Sequence, residues 1–172
     1  QLPSDPCPGR QRGGRSEGMA LLESFLQHRG RRYAKELSSP LTAFNSCSRL
    51  SSHLTFGTLS MREIVQTARL RKGPKAFIER LHWHCHFIQK LESQPSLEHQ
   101  NAHRAYDGLR ASDPERLELW IEGRTGWPFV DACMRALRHH GWINFRMRAM
   151  LMSVASCLLY TSDAADDSWG VV

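Results

Sequence analysis

The chain has 172 residues, of which 41% are hydrophobic, enough to bury a core in one globular domain. No run of residues approaches the roughly 20 apolar residues of a membrane-spanning helix, and the five cysteines lack C-x-x-C spacing, which argues for a reducing compartment and against a disulfide framework. Residues 1–156 hold all 23 lysines and arginines but only 14 of the 17 acidic residues; this net charge of +9 favours a polyanionic partner such as nucleic acid, with a solvated basic surface as the alternative.

The first predicted elements are a linker and a helix. Residues 1–15 are rich in Pro, Gly and Arg and predict a linker or loose terminus, and the absence of a start methionine suggests a fragment. Ser16 is then the expected N-cap of a helix and Gly30 its expected stop. Between them, apolar residues recur at helical spacing at Met19, Leu22, Phe25 and Leu26.

A capping box marks the next helix. Ser60 and Glu63 stand three residues apart, so that each side chain can accept a hydrogen bond from the other's backbone amide. The helix that they start is predicted to run to about Arg71. A further helix is predicted from Pro74 to Leu91, with an apolar stripe at Phe77, Leu81, Cys85, Ile88 and Leu91.

The second half of the chain predicts a polar loop and three more helices. Residues 93–113 are mostly loop, and a short helix around Pro114–Glu122 precedes a sharp turn at 123–126. Pro128 suits the first turn of a helix that Gly141 would end, and a last helix begins at about Asn144. Since no strand of period two occurs, the predicted fold is all-α.

The C-terminal residues differ from the rest of the chain. Residues 157–167 resemble the translation of a sequencing-library adapter, so we expect residues 157–172 to be a non-native tail, with a natural disordered C-terminus as the alternative. The predicted domain is therefore residues 16–156. Thr161–Val172 is predicted to make almost no contact with its core.

Two blocks of residues carry the candidate chemistry. The first is Cys47-Ser48-Arg49-Leu50-Ser51, where hydroxyls and amides before a helix could cradle a phosphate and Arg49 adds charge; simple helix capping is the alternative. The second runs from Gly123-Arg124-Thr125-Gly126-Trp127-Pro128 through Val130-Asp131-Ala132 to Met134-Arg135. It is followed by Gly141-Trp142-Ile143-Asn144-Phe145-Arg146-Met147-Arg148.

In this order, the blocks resemble three signatures of the DNA photolyase/cryptochrome family: Thr-Ser-Arg-Leu-Ser, Gly-Arg-Thr-Gly-Tyr-Pro-x-Val-Asp-Ala-x-Met-Arg and Gly-Trp-x-x-x-Arg-x-Arg. The resemblance covers nearly everything between Gly13 and Ser156. It implies an incomplete helical domain that binds FAD, with a basic groove for DNA. An antenna chromophore is a further expectation for the full-length protein.

The resemblance also assigns residues by position. The cofactor-binding set that it implies is Tyr33, Cys47, Ser48, Arg49, Leu50, Ser51, Phe77 and Arg148. The set that it implies for DNA and the lesion is Trp83, His84, Phe145 and Arg146, with Trp83 stacking on the flipped-out base. No catalytic residue is assigned, because in this family the flavin carries the chemistry.

Helix geometry makes its own prediction for Trp83. This residue lies two positions from both Leu81 and Cys85, about 200° around the helix, and therefore faces away from the apolar stripe. We expect its indole to be partly exposed, beside Arg146 or Arg148, in a basic concave surface.

Three positions depart from the family pattern. Photolyases usually read Trp-Arg-Asp/Glu-Phe where this chain reads Trp83-His84-Cys85-His86-Phe87. They usually have Asn where this chain has Phe145, and Thr where it has Cys47. The first two departures bear on recognition of the lesion.

The histidines of the 74–91 helix raise a metal alternative. His82 and His86 lie one helical turn apart and could share an ion, but His84 faces elsewhere and no second ligand cluster is nearby in sequence. Groove-lining or packing histidines are therefore favoured, and no metal is expected.

The function that we expect is that of a fragment of a deoxyribodipyrimidine photolyase, a blue-light-driven lyase that splits pyrimidine dimers in DNA by electron transfer from reduced FAD. The fragment alone is expected to be inactive. The alternatives are a cryptochrome-type blue-light receptor and a non-catalytic basic helical module that binds nucleic acid. The expected partner is DNA containing pyrimidine dimers, with no membrane, and we expect a monomer in the cytoplasm, nucleoid or nucleus.

Overall fold

The computed structural model describes residues 7–107 and 113–159, with the backbone alone for 157–159. They contain helices and turns and no strand, which confirms the all-α prediction. Residues 11–85 form one compact unit, and residues 7–10 with 86 onward form another. The prediction for Thr161–Val172 lies outside the described residues.

The helices follow one another along the chain with short connections. They are α1 (Arg15–Gln27), α2 (Tyr33–Glu36), α3 (Ala43–Ser46), α4 (Ser51–Thr55), α5 (Met61–Leu70), α6 (Lys75–Ser93), α7 (Pro114–Glu122), α8 (Pro128–His140) and α9 (Phe145–Ser153). A 3₁₀ turn, Arg29–Arg32, joins α1 to α2, two more lie at Pro95–Glu98 and Arg104–Tyr106, and a π-helical segment, Val154–Leu159, extends α9.

Helix α1 differs from its prediction at both ends. It begins at Arg15, with Gly14 in the N-cap position at a φ of 99° and without a side-chain cap, so Ser16 lies inside the first turn and the predicted Ser16 cap is wrong. The helix ends at Gln27, before Gly30. Gly30 lies in the 3₁₀ turn, and glycine is needed there because a Cβ would come within 2.8 Å of the Phe25 carbonyl oxygen and 3.0 Å of its ring.

Helix α5 confirms the capping box. The Ser60 hydroxyl accepts a hydrogen bond from the Glu63 amide at 3.1 Å. The pKa of Glu63 is lowered, mainly by a hydrogen bond from the Arg15 guanidinium and to a smaller extent by the backbone amide of Ser60. The carboxylate thus closes the box and also ties α1 to α5.

The core of residues 11–85 is built around three aromatic rings. Phe25 lies 5.5 Å from Tyr33 and 4.7 Å from Phe77, measured between ring centroids. The other buried members of this core are Leu22, Leu50, Leu59, Ile64, Ala68 and Leu81. The core therefore packs α1, α2, α5 and α6 together, and it includes Leu50 of the Cys47–Ser51 loop.

Helix α6 buries its apolar stripe over the first half alone. Phe77 and Leu81 are buried, whereas Ile88 and Leu91 are 56% and 50% exposed, so the stripe is not the continuous buried face that its spacing indicates. At 1.5 Å per residue the 19-residue helix is about 28 Å long, and it outruns the core that covers its beginning.

The second unit confirms the predicted helix bounds. Asp113 caps α7 by accepting a hydrogen bond from the Arg116 amide at 3.1 Å, and Pro128 occupies the first turn of α8. Gly141 ends α8 at a φ of 62°, a left-handed conformation that glycine adopts at low cost. The core of this unit consists of Val130, Cys133, Met134, Ile143, Met147, Leu151 and Val154.

The N-terminal residues have no helix but are held in place. The Cys7 thiol is buried and donates to the His139 carbonyl oxygen at 3.1 Å, and the Gly9 amide donates to the same oxygen at 2.8 Å. In the other unit, the Gln11 amide nitrogen donates to the Arg49 carbonyl oxygen at 3.0 Å.

Candidate cofactor site

The Cys47–Ser51 segment connects two short helices; we name it the diphosphate loop after the phosphate binding that the sequence predicts for it. Helix α3 ends at Ser46, Cys47 is extended, and α4 begins at Ser51. Arg49 has a φ of 63°, in the left-handed region, and Leu50 follows it in the right-handed region. Adjacent residues of opposite hand turn successive backbone amides toward one point, a concavity that suits an anion.

Arg49 contributes a charge to this loop. Its side chain is 7% exposed, and its guanidinium carbon lies 4.0 Å from the centre of the Phe44 ring. Burial lowers the pKa of Arg49, and the positive charge of Arg29 lowers it further. Two guanidinium groups therefore act on one another beside the loop, which makes the local potential positive.

Arg29 was not among the residues expected here. Its Nε donates to the Ser24 hydroxyl at 3.1 Å, and its two terminal nitrogens donate to backbone carbonyls. These carbonyls belong to Leu21, Asn45, Cys47 and Ser48. Burial lowers the pKa of Arg29. No pattern of side chains marks this role, because four of its five acceptors are backbone oxygens.

Cys47 is neutral at physiological pH. Burial raises the pKa of its thiol to about 11, against the opposing effect of Arg29 and Arg49. The thiol therefore adds no negative charge to the loop, and it keeps a hydrogen to donate.

Tyr33 is buried, and an ionised Cys47 thiol would oppose its ionisation. Burial is the main cause that raises the pKa of Tyr33 to about 12, with a further contribution from Cys47. Phe77 is buried against Phe25 and Tyr33, so the structure gives it a packing role. Contacts of Tyr33 and Phe77 with a flavin stay predictions.

The Gly123–Gly126 turn is held by α8. The Asp131 carboxylate accepts hydrogen bonds from the Thr125 amide at 2.8 Å, the Thr125 hydroxyl at 2.7 Å and the Gly126 amide at 3.1 Å. Arg135 donates to the Gly123 carbonyl oxygen at 2.8 Å. The three hydrogen bonds to its carboxylate lower the pKa of Asp131, with the Thr125 hydroxyl as the largest cause, and the charge of Arg135 lowers it further.

Asp131 and Arg135 belong to the motif, and the sequence alone does not indicate their role. The structure explains why the motif has an acid and an arginine one turn apart in α8: both residues fasten the preceding turn. Gly123 and Gly126 have φ values of 69° and 84°, which accounts for two of the glycines in that motif.

The residues expected to contact DNA lie in both units. Trp83 is 53% exposed, which confirms the partial exposure predicted from helix geometry, and His84 beside it is exposed. On α9, Arg146 and Arg148 are exposed and Phe145 is partly buried. Proximity of Trp83 to Arg146 or Arg148 stays a prediction, as do the DNA contacts of all four and the flavin contact of Arg148.

The described residues contain neither a cluster of metal-binding side chains nor a membrane-spanning helix. Among residues 7–107 and 113–159, no three His, Cys, Asp or Glu side chains come together as a metal site would require. No helix in the same residues combines the length and apolar character needed to cross a membrane.

Comparison with known proteins decides the family. A family model described as the FAD binding domain of DNA photolyase matches residues 77–167, just over half of the chain. The chain belongs to the DNA photolyase/cryptochrome family.

Relatives in this family carry both names. The deoxyribodipyrimidine photo-lyase of Streptomyces griseus is 36% identical over 166 residues, which make up 92% of this chain and 36% of that protein. Cryptochrome-2 of Gallus gallus is 26% identical over 168 residues, which make up 91% of this chain and 28% of that protein.

A solved structure extends the comparison to the fold. The archaeal photolyase from Sulfolobus tokodaii, which was crystallised with two FAD molecules, superimposes with a TM-score of 0.76 at 35% identity. The match covers 88% of this chain and 33% of that one. The chain thus spans about a third of the length of the photolyases that it matches.

Proposed function

We propose that this chain is part of a deoxyribodipyrimidine photolyase and that its diphosphate loop holds the phosphates of FAD. The observation that carries the proposal is the donor set of that loop. Its members supply backbone amides, the Ser48 and Ser51 hydroxyls, a neutral thiol and the Arg49 guanidinium. A diphosphate offers acceptors alone, so the loop and the ligand are complementary in charge and in hydrogen bonding.

The residues of this chain would bind and orient, while the chemistry comes from the cofactor. When bound, reduced FAD supplies the electron that splits a pyrimidine dimer under blue light. Arg49 would neutralise phosphate charge, and Asp131 would keep the Gly123–Gly126 turn in one conformation. The exposed indole of Trp83 would offer a stacking face to the extruded base.

The test uses the full-length protein that contains this chain. We expect a purified protein with a flavin absorption band and, after reduction, blue-light-dependent repair of an oligonucleotide that carries one thymine dimer, with none in the dark. A flavin-free protein that still binds DNA would contradict the proposal and favour a basic nucleic-acid-binding module.

The second candidate is a cryptochrome-type blue-light receptor. It is favoured by Phe145, which stands where the photolyase pattern has a lesion-contacting asparagine, and by His84 after the lesion tryptophan. The same assay separates the two functions. Bound FAD whose spectrum changes under blue light, without repair of the dimer, would favour the receptor.

A further inference from the structure

We infer that Arg29 is the residue that positions the diphosphate loop, acting through the loop carbonyls without contacting the phosphates. The inference rests on the proposed function and adds a residue outside the loop to it. A guanidinium has five N–H groups, and the structure gives Arg29 five acceptors. These are the Ser24 hydroxyl and the carbonyls of Leu21, Asn45, Cys47 and Ser48.

This saturation decides how Arg29 acts. Because every N–H group already has a protein acceptor, the side chain has none left for a phosphate oxygen. Its charge still contributes to the local potential, as its effect on the pKa of Arg49 demonstrates. Arg29 is therefore a positioning residue, whereas Arg49 is the candidate ligand.

Peptide geometry connects the Arg29 bonds to the anion site. In a trans peptide unit the carbonyl and the following N–H point in opposite directions. Arg29 draws the Cys47 and Ser48 carbonyls toward itself, which turns the Ser48 and Arg49 amides away from it. The Arg49 amide is also the first of those that the left-handed Arg49 and the right-handed Leu50 turn toward one point, so the guanidinium sets the direction of that donor.

Lysine at position 29 keeps the charge but cannot make all five hydrogen bonds. An ammonium has three donors and no planar fork, so at least two of the five bonds are lost. We expect Arg29→Lys in the full-length protein to weaken FAD binding about 10-fold, the equivalent of losing roughly one net hydrogen bond in the loop. Arg32→Lys is the matched control, because Arg32 carries the same charge three residues along and pairs with Glu36 at the surface.

The decisive readout is the ³¹P spectrum of bound FAD at saturating FAD concentration. We expect Arg29→Lys to shift the two diphosphate resonances while the flavin absorption band stays unchanged, since the loop moves and the ring site does not. A residue that merely stabilises the fold would leave the spectrum of the bound fraction unaltered. Arg32→Lys should reproduce the wild-type affinity and spectrum.

The outcomes separate this inference from the proposed function. A wild-type protein that binds no FAD overturns both. FAD binding by the wild type, with Arg29→Lys equal to Arg32→Lys in affinity and ³¹P spectrum, overturns the role of Arg29 alone. If circular dichroism reveals that Arg29→Lys is unfolded, Ser24→Ala is tested in its place, because it removes a single bond of Arg29. It should weaken FAD binding about 2–5-fold and shift the same resonances. An unshifted spectrum overturns the inference.

Discussion

Arg49→Gly separates the side chain of the diphosphate loop from its backbone. The φ of 63° at this position is one that glycine adopts freely, so the substitution keeps the concavity of amides and removes the side chain with its guanidinium. A left-handed non-glycine residue costs about 1–2 kcal/mol, and the greater freedom of glycine in the unfolded chain offsets about 0.5–1 kcal/mol of that relief. The lost contact with Phe44 costs about 0.5–2 kcal/mol. The free energy of unfolding of the apoprotein should thus change by no more than about 2 kcal/mol.

Arg49→Gly should weaken FAD binding, and this effect should be larger than the change in the free energy of unfolding. A hydrogen bond to a charged group contributes about 1.5–3 kcal/mol, which corresponds to roughly 10- to 150-fold in the dissociation constant. Lys72→Gly is the matched control, because Lys72 has a φ of 52° and is exposed. It should raise the stability by up to about 1 kcal/mol and leave FAD binding unchanged.

The assay combines urea unfolding of the apoproteins with fluorescence titration of FAD in the full-length protein. Wild-type affinity for FAD in Arg49→Gly would refute the assignment of the guanidinium to the phosphates. Equal loss of affinity in Arg49→Gly and Lys72→Gly would refute it as well, since the effect would then come from the fold.

Three further substitutions test other parts of the structure. Asp131→Ala removes three hydrogen bonds, so the Thr125 and Gly126 amides should exchange hydrogen faster. In the wild type the pKa of Asp131 is lowered. The protection of these amides should therefore persist below the ordinary carboxyl pKa of 3.8 and be lost at still lower pH. Ser60→Ala should cost about 1 kcal/mol in thermal unfolding, and Ser16→Ala, inside the first turn of α1, about zero. Trp83→Ala in the full-length protein should weaken binding to dimer-containing DNA by about 1–3 kcal/mol and retain FAD. Phe56→Ala, at another exposed aromatic residue, should leave both the DNA affinity and the bound FAD unchanged.

Each of these has a result that contradicts it. Unchanged exchange in Asp131→Ala would mean that the turn holds without its carboxylate. Equal costs for Ser60→Ala and Ser16→Ala would remove the distinction between a cap and an interior helix position. Intact affinity of Trp83→Ala for damaged DNA would exclude stacking on the lesion and strengthen the receptor alternative.

The sequence predicts best where the physical signal is local. The bounds of α8 follow from Pro128 and Gly141, because a fixed φ and a left-handed stop each act on adjacent backbone groups. The exposure of Trp83 follows from helix geometry in the same way. The Ser16 prediction is wrong because the N-cap lies two residues earlier, at Gly14, although serine is a good capping residue.

What the sequence could not predict depends on distant or backbone partners. The role of Arg29 rests mainly on carbonyl oxygens up to 19 residues away, and every residue carries such an oxygen. The exposure of Ile88 and Leu91 depends on where the core ends, which periodicity along one helix does not contain. Asp131 is intermediate, since an acid in the first turn of α8 could have been recognised as the cap of the turn before it.

The bonds of Arg29 also bear on the order of folding. Its acceptors lie 5 to 19 residues away, so all of them have been synthesised once about the first 50 residues of this chain have been made. At a synthesis rate of about 5–20 residues per second, Asp131 emerges roughly 4–16 s later than Ser51. Short sequence separations close quickly, on a timescale far below one second. The hydrogen bonds of Arg29 can therefore form while the turn fastened by α8 is still being synthesised.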